Sequence, residues 1–127
     1  MLALTVGGAA CGGDKEKKAE SSDRYELRVS ATEVAAGLGK IQTLTNQIAL
    51  AVSADAKAAQ EQAKGIEELW EPIEGTIRAN DKDSYIRFED AFAALEKAAE
   101  GADPAKAQST SADVAEAVKA YLAKYPG

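Results

Sequence analysis

From Leu27 onward, apolar residues recur at alternating steps of four and three, and this constrains the fold more than any other feature of the chain. The first run is Leu27, Ala31, Val34, Leu38, Ile41, Thr45, Ile48 and Val52. A repeat averaging 3.5 residues places every member on one face of an α-helix. A second run reads Ala59, Ala63, Ile66, Trp70, Ile73, Ile77. A third reads Tyr85, Phe88, Phe92, Leu95, Ala99, and a fourth Ala107, Ser111, Val114, Val118, Tyr121, Tyr125. No segment shows the two-residue alternation of a half-buried strand. The expectation is an all-α fold: four amphipathic helices with short connections, packed as an antiparallel up-down-up-down four-helix bundle.

The residues between the runs mark the helix ends. Ser53 to Asp55 can reverse the chain, with Asp55 as N-cap. "RANDKDS" is a turn, with Asp81 or Asp83 capping the third helix. Gly101 stops that helix. Asp103 caps the fourth, with Pro104 in its first turn, and Pro126 ends it. Gly37 and Gly39 interrupt the first helix and are expected to bend it. Pro72 is expected to kink or pause the second helix near Leu69–Pro72, because proline removes a helical hydrogen bond and crowds the preceding turn. In a hairpin around Asn80 to Lys82, residues equidistant from the turn meet. Ile77 then lies near Tyr85, Ile73 near Phe88 and Trp70 near Phe92, so the aromatic residues fill the core.

Composition excludes several function classes. The 127 residues suffice for one domain with one core. Net charge is −6 and the basic residues are scattered, so no patch exists to replace the counterions of a nucleic acid. The chain has no His and one Cys. Imidazole-based zinc or haem sites, a Ser-His-Asp triad and an intrachain disulfide are all ruled out. No nucleophile–base pair or cofactor motif is visible, and the expectation is a non-enzymatic protein.

Residues 1–11 read "MLALTVGGAAC", a short apolar run ending in small residues before Cys11. This resembles the end of a bacterial lipoprotein signal, in which such a cysteine is lipidated and becomes the new N-terminus. The apolar run is far shorter than the ~20 residues a membrane-spanning helix needs. "GGDKEKKAESS" follows, polar and charge-mixed, and suits a flexible disordered tether. Residues 1–22 are therefore expected to be signal end and tether, and 23–127 the bundle. The resemblance implies a lipid-anchored protein of the bacterial cell envelope, periplasmic or extracytoplasmic, held to the membrane through Cys11. Cys11 has no His to serve as its base and is not a candidate nucleophile.

Carboxylates form the remaining pattern. With the apolar runs at heptad positions a and d, Glu67 and Glu74 fall at e on the second helix, and Glu89 and Glu96 at e on the third. Antiparallel pairing sets Glu74 against Glu89 and Glu67 against Glu96. The opposite flank (Leu69, Thr76, Ser84, Ala91, Ala98) can face the interior, leaving the acidic one outward or against a neighbour. Like charges so placed repel unless solvent or a cation intervenes, and oxygen-rich clusters suit hard cations such as calcium, manganese or ferric iron. Against this, Arg78 lies four residues after Glu74 and can pair with it.

"W-x-x-I-E-G-T-I-R-x-N-D-x-x-x-Y-x-x-F-E-D" (Trp70 to Asp90), followed by an alanine-rich helix ending "YLAKYP", resembles helical segments of bacterial envelope iron-uptake systems. These are the imelysin-like periplasmic iron-binding proteins and the high-affinity iron permeases. The resemblance spans residues 66–126. It implies an envelope bundle that assists cation uptake beside an envelope or membrane protein partner, with Glu74, Asp81 and Glu89 as positions of interest. The His-containing metal motif of the imelysin-like proteins has no counterpart here, so metal chemistry would fall to carboxylates alone. Two functions follow: a lipid-anchored interaction module, or a carboxylate cation-binding protein using the Glu74/Glu89 seam.

Overall fold

A computed structural model describes residues 27–127, and the described residues are helical with no strand among them. Cys11 and the expected tether lie outside them. The helices are α1 (Ala31–Ala54), α2 (Ala56–Ala63), α3 (Gly65–Asn80), α4 (Lys82–Glu100) and α5 (Pro104–Lys124). Taken as one interrupted helix, α2 and α3 correspond to the second apolar run, giving four helical rods in all.

Capping aspartates set three of the boundaries. Asp55 accepts hydrogen bonds from the N–H groups of Lys57 and Ala58, Asp81 from Ser84, and Asp103 from Lys106. Each satisfies donors that the first helical turn leaves without partners. Ser30 does the same for α1 through Glu33. That cap fixes where the first apolar run begins to count: Leu27 precedes it and is exposed, Ala31 is exposed, and burial starts at Val34.

Two breaks differ from the sequence expectation. Pro72 does not interrupt α3, which runs through it from Gly65 to Asn80. Both Pro72 and Glu68 are exposed, so water can take the Glu68 carbonyl that the proline leaves without a helical donor. The break falls at Lys64 instead. Its N–H turns to the Glu61 carbonyl at 3.3 Å, a tightened last turn of α2, and Gly65 then starts α3 within 3.4 Å of Leu44, measured from where its Cβ would stand. Nor do Gly37 and Gly39 divide α1, a single helix of 24 residues.

Packing follows the apolar runs. Val34 through Val52 on α1, Ala59 through Ile77 on α2 and α3, Phe88 through Ala99 on α4 and Ala107 through Tyr121 on α5 form one buried cluster. Helix α1 packs on α2, α3 and α5, and α4 packs on the same three. Between α1 and α3, Gly37 meets Ile73, and Val29 donates its N–H to Thr76 Oγ1 at 2.9 Å. Between α2 and α4, Gln60 Nε2 donates to the Ala99 carbonyl at 3.3 Å.

Candidate functional site

The hairpin between α3 and α4 turns on a single residue, Asp81. Its extended backbone (φ −156°, ψ 95°) separates the two helices. One carboxylate oxygen accepts the Ser84 N–H at 3.2 Å, and the other faces the Lys124 ammonium at 3.3 Å. The Ser84 N–H, with help from Lys124 and against partial desolvation, holds the Asp81 carboxyl below its ordinary pKa. Asn80 beside it donates from Nδ2 to the Tyr121 hydroxyl at 2.9 Å, and the Tyr125 hydroxyl donates to the Asn80 carbonyl at 2.7 Å. The two tyrosine rings stand 4.9 Å apart. Burial pushes the Tyr121 hydroxyl pKa up. The two stretches "RANDKDS" and "YLAKYP" thus grip each other at one end of the molecule. Sequence periodicity places Tyr121 and Tyr125 on one apolar face but gives no sign that Asn80 and Lys124 join them.

About three turns back from the Asp81 link, Trp70 is 1% exposed. Its ring packs against Tyr85, Phe88 and Phe92 at centroid distances of 6.0, 5.3 and 5.1 Å. Its Nε1–H donates to Glu89 Oε1 at 3.1 Å. A buried indole needs an acceptor, and Glu89 supplies it. Arg78 stands with its guanidinium carbon 5.8 Å from the centre of the Tyr85 ring.

The expected acidic flank is only partly assembled. The Glu96 carboxyl is raised by desolvation first, and then by the negative charges of Glu100, Glu67 and Glu89. Glu74, expected on the outward flank with Glu67, is 2% exposed. The whole run Ile73, Glu74, Gly75, Thr76, Ile77 is buried, so this part of α3 is covered on more than the side facing the α4 aromatics. Asp81 lies at the end of the hairpin with Lys124, apart from this flank. Among the described residues, no group of three or more His, Cys, Asp or Glu side chains is placed to hold a metal ion.

Open grooves lie between the helices. One of about 640 Å³ separates α1 from α5, and its lining, from Gly39 to Leu50 on α1 and Gln108 to Ala115 on α5, contains no charged residue. A smaller one of about 200 Å³ between α2 and α4 is edged by Lys64, Glu96 and Glu100. Among the described residues, no helix is long and apolar enough to cross a membrane. The chain matches no family model, no curated protein and no solved structure.

Proposed function

We propose that the chain is a lipid-anchored protein of the bacterial envelope whose helical bundle acts as a non-enzymatic accessory or interaction module, serving a metal-uptake system with iron as the metal. The observation that carries this reading is the use the fold makes of its unusual residues. Glu89 holds the Trp70 indole and Asp81 caps α4 while pairing with Lys124. Groups so engaged brace helices, leaving surfaces as the working part of the molecule. The helices run up-down-up-down and antiparallel. In support, Gln60 meets Ala99 while Trp70 meets Glu89, and Gly37 meets Ile73 while Leu44 meets Gly65. The anchor rests on Cys11, and the link to iron rests on the resemblance of residues 66–126.

Expression with the native leader in a bacterial host that carries the uptake system tests this reading. Labelled fatty acid should enter the protein, Cys11→Ala should abolish labelling, and iron accumulation should fall in cells that carry only the alanine variant. An unlabelled chain recovered free of the membrane overturns the anchor.

The second reading is a carboxylate cation site on the flank of Glu67, Glu74, Glu89 and Glu96. In its favour, the negative charges of Glu67, Glu89 and Glu100 converge on Glu96; a hard cation would relieve them. A rise in melting midpoint with Ca²⁺, Mn²⁺ or ferric citrate, beyond that of matched ionic strength, and its loss in a Glu67→Gln, Glu96→Gln variant would establish it. A flat response to all three ions leaves the interaction module alone.

A further inference from the structure

Helix α2 differs from the other four in what holds it. It has eight residues, AKAAQEQA, and buries only Ala59 and Ala63. Each of the other helices buries six or seven residues, branched or aromatic side chains among them. Two buried methyl groups remove little apolar surface from water. Eight residues are also too few for a helix to hold itself, since isolated helices shorter than about 12 residues are marginal in water.

Both ends of α2 are interrupted. Asp55, extended at φ −158° and ψ 95°, parts it from α1. Lys64 parts it from α3, and no side chain caps the start of α3. A break at each end limits the support that α2 draws from the helices on either side of it in the chain. Among the described residues, one side-chain hydrogen bond ties α2 to another helix, from Gln60 Nε2 to the Ala99 carbonyl of α4 at 3.3 Å. A groove of about 200 Å³ opens along that same seam. Lys64, the basic group on its edge, pairs with Glu61 of α2 at 2.8 Å instead of reaching Glu96 or Glu100 across it.

We propose that α2 is a flap: it lifts from α1 and α4 as a unit, turning on Asp55 and on the Lys64–Gly65 joint, while the other helices stay packed. Counting outward from Asp81 sets Ala63 level with Ala99, and the Gln60 bond places α2 over the same residue. Opening therefore uncovers α4 around Ala99, which is fully buried while the flap is closed. Beyond the joint, Trp70 holds α3 to α4 through Phe88 and Phe92, so α3 does not follow. Little buried apolar area and an exposed polar outer face, here Lys57, Glu61 and Gln62, are the marks of a unit that opens below the cost of global unfolding. Val29 bonds Thr76 close to the Asp81 link, so the flap lies toward the end of the molecule opposite to where the described chain begins. That end changes shape without disturbing the helices that carry the core.

Native-state hydrogen exchange of the full chain tests the proposal. Amides of α2 should exchange at least about 100-fold faster than those of the core residues Ile41 and Leu95. Their rates should depend only weakly on added denaturant, because a local opening exposes little surface. Val114→Ala on α5 weakens the core and should speed exchange at Ile41 and Leu95 at least about tenfold, with the α2 rates unchanged. Gln62→Gly, at an exposed position of α2, should speed α2 exchange about fivefold. In a Cys11→Ser background, Ala99→Cys should react with a thiol reagent at least about tenfold faster than Ala117→Cys of α5, and Gln62→Gly should raise the Ala99→Cys rate by the factor it brings to α2 exchange. Amides of α2 that exchange as slowly as the core, or that speed up with it in Val114→Ala, overturn the proposal. So does an Ala99→Cys rate indifferent to Gln62→Gly, which would mean that the end of α4 frays without α2.

Discussion

Trp70 shows how one side chain sets the character of the hairpin. Its ring touches three aromatic neighbours, and its N–H must be matched in a place that water does not reach. Trp70→Phe should cost about 2 kcal/mol in a chemical melt, combining a lost hydrogen bond with a small cavity. Glu89→Gln keeps an acceptor oxygen and should cost less than about 1 kcal/mol. Phe88, fully buried on the facing helix, should cost about 3–5 kcal/mol as Phe88→Ala. The two shifted carboxylates pull stability in opposite directions with pH. Asp81 has a depressed pKa, so its contribution is present above the ordinary carboxylate value and is lost as pH falls through the folded-state value. Asp81→Asn keeps a capping side chain and should lower the thermal midpoint at neutral pH, with the gap closing in acid. Glu96 has a raised pKa, so ionising it weakens the fold as pH rises through and beyond the carboxylate range. Glu96→Gln should raise the midpoint at neutral pH, and this gap too should close in acid.

At the scale of the helix, the apolar runs were legible because burial in a bundle is periodic, and Val34, Ile48, Ile66, Ile77, Leu95 and Val114 all lie in the core as spacing alone requires. The caps were legible because aspartate at a helix start has a local chemical reason to be there. The interruption of the second run was not legible from Pro72. What proline costs depends on whether water can reach the freed carbonyl, and that is set by the fold. Glycines show the same dependence on context. Gly39 has open space where a Cβ would stand, whereas a Cβ at Gly37 would lie 3.1 and 3.2 Å from two carbons of Ile73. Gly39→Ala should therefore stabilise α1 by up to about 1 kcal/mol. Gly37→Ala should give less than this or destabilise, because Ile73 must shift. A matched pair of chemical melts reads the difference. The end of α4 offers a third case. Ala102 has φ +50°, and the Asp103 N–H reaches back to the Ala98 carbonyl at 2.9 Å while the Ala102 N–H bonds Ala99. This closing motif favours glycine at the left-handed position, yet the glycine of the sequence, Gly101, stands one residue earlier. Ala102→Gly should stabilise by about 0.5–1 kcal/mol.

For the whole molecule, the hairpin register was legible and the fate of its polar groups was not. Counting outward from the turn sets Glu67 against Glu96, and the charge of Glu67 is one of those that raise the Glu96 carboxyl. The same counting cannot show that Glu74 is buried while Glu67 is exposed, because a two-helix register contains nothing about what covers the hairpin from outside. Nor can it show that the last turn of α5, some forty residues on, closes over the α3–α4 link. That closure joins three helices at one end through Asn80, Asp81, Tyr121, Lys124 and Tyr125. Of these, the bond from Asn80 Nδ2 to the Tyr121 hydroxyl is the most sheltered, since Tyr121 is 1% exposed. A double-mutant cycle isolates it. Asn80→Ala and Tyr121→Phe should each destabilise the fold, and the double variant should be less destabilised than their sum by about 0.5–1.5 kcal/mol. Tyr125→Phe paired with Asn80→Ala should show smaller coupling, because the Tyr125 hydroxyl donates to the Asn80 main-chain carbonyl, which alanine retains. Strict additivity for Asn80 and Tyr121 would mean that the two groups do not hold each other, and that α5 stays on the hairpin through its apolar face alone.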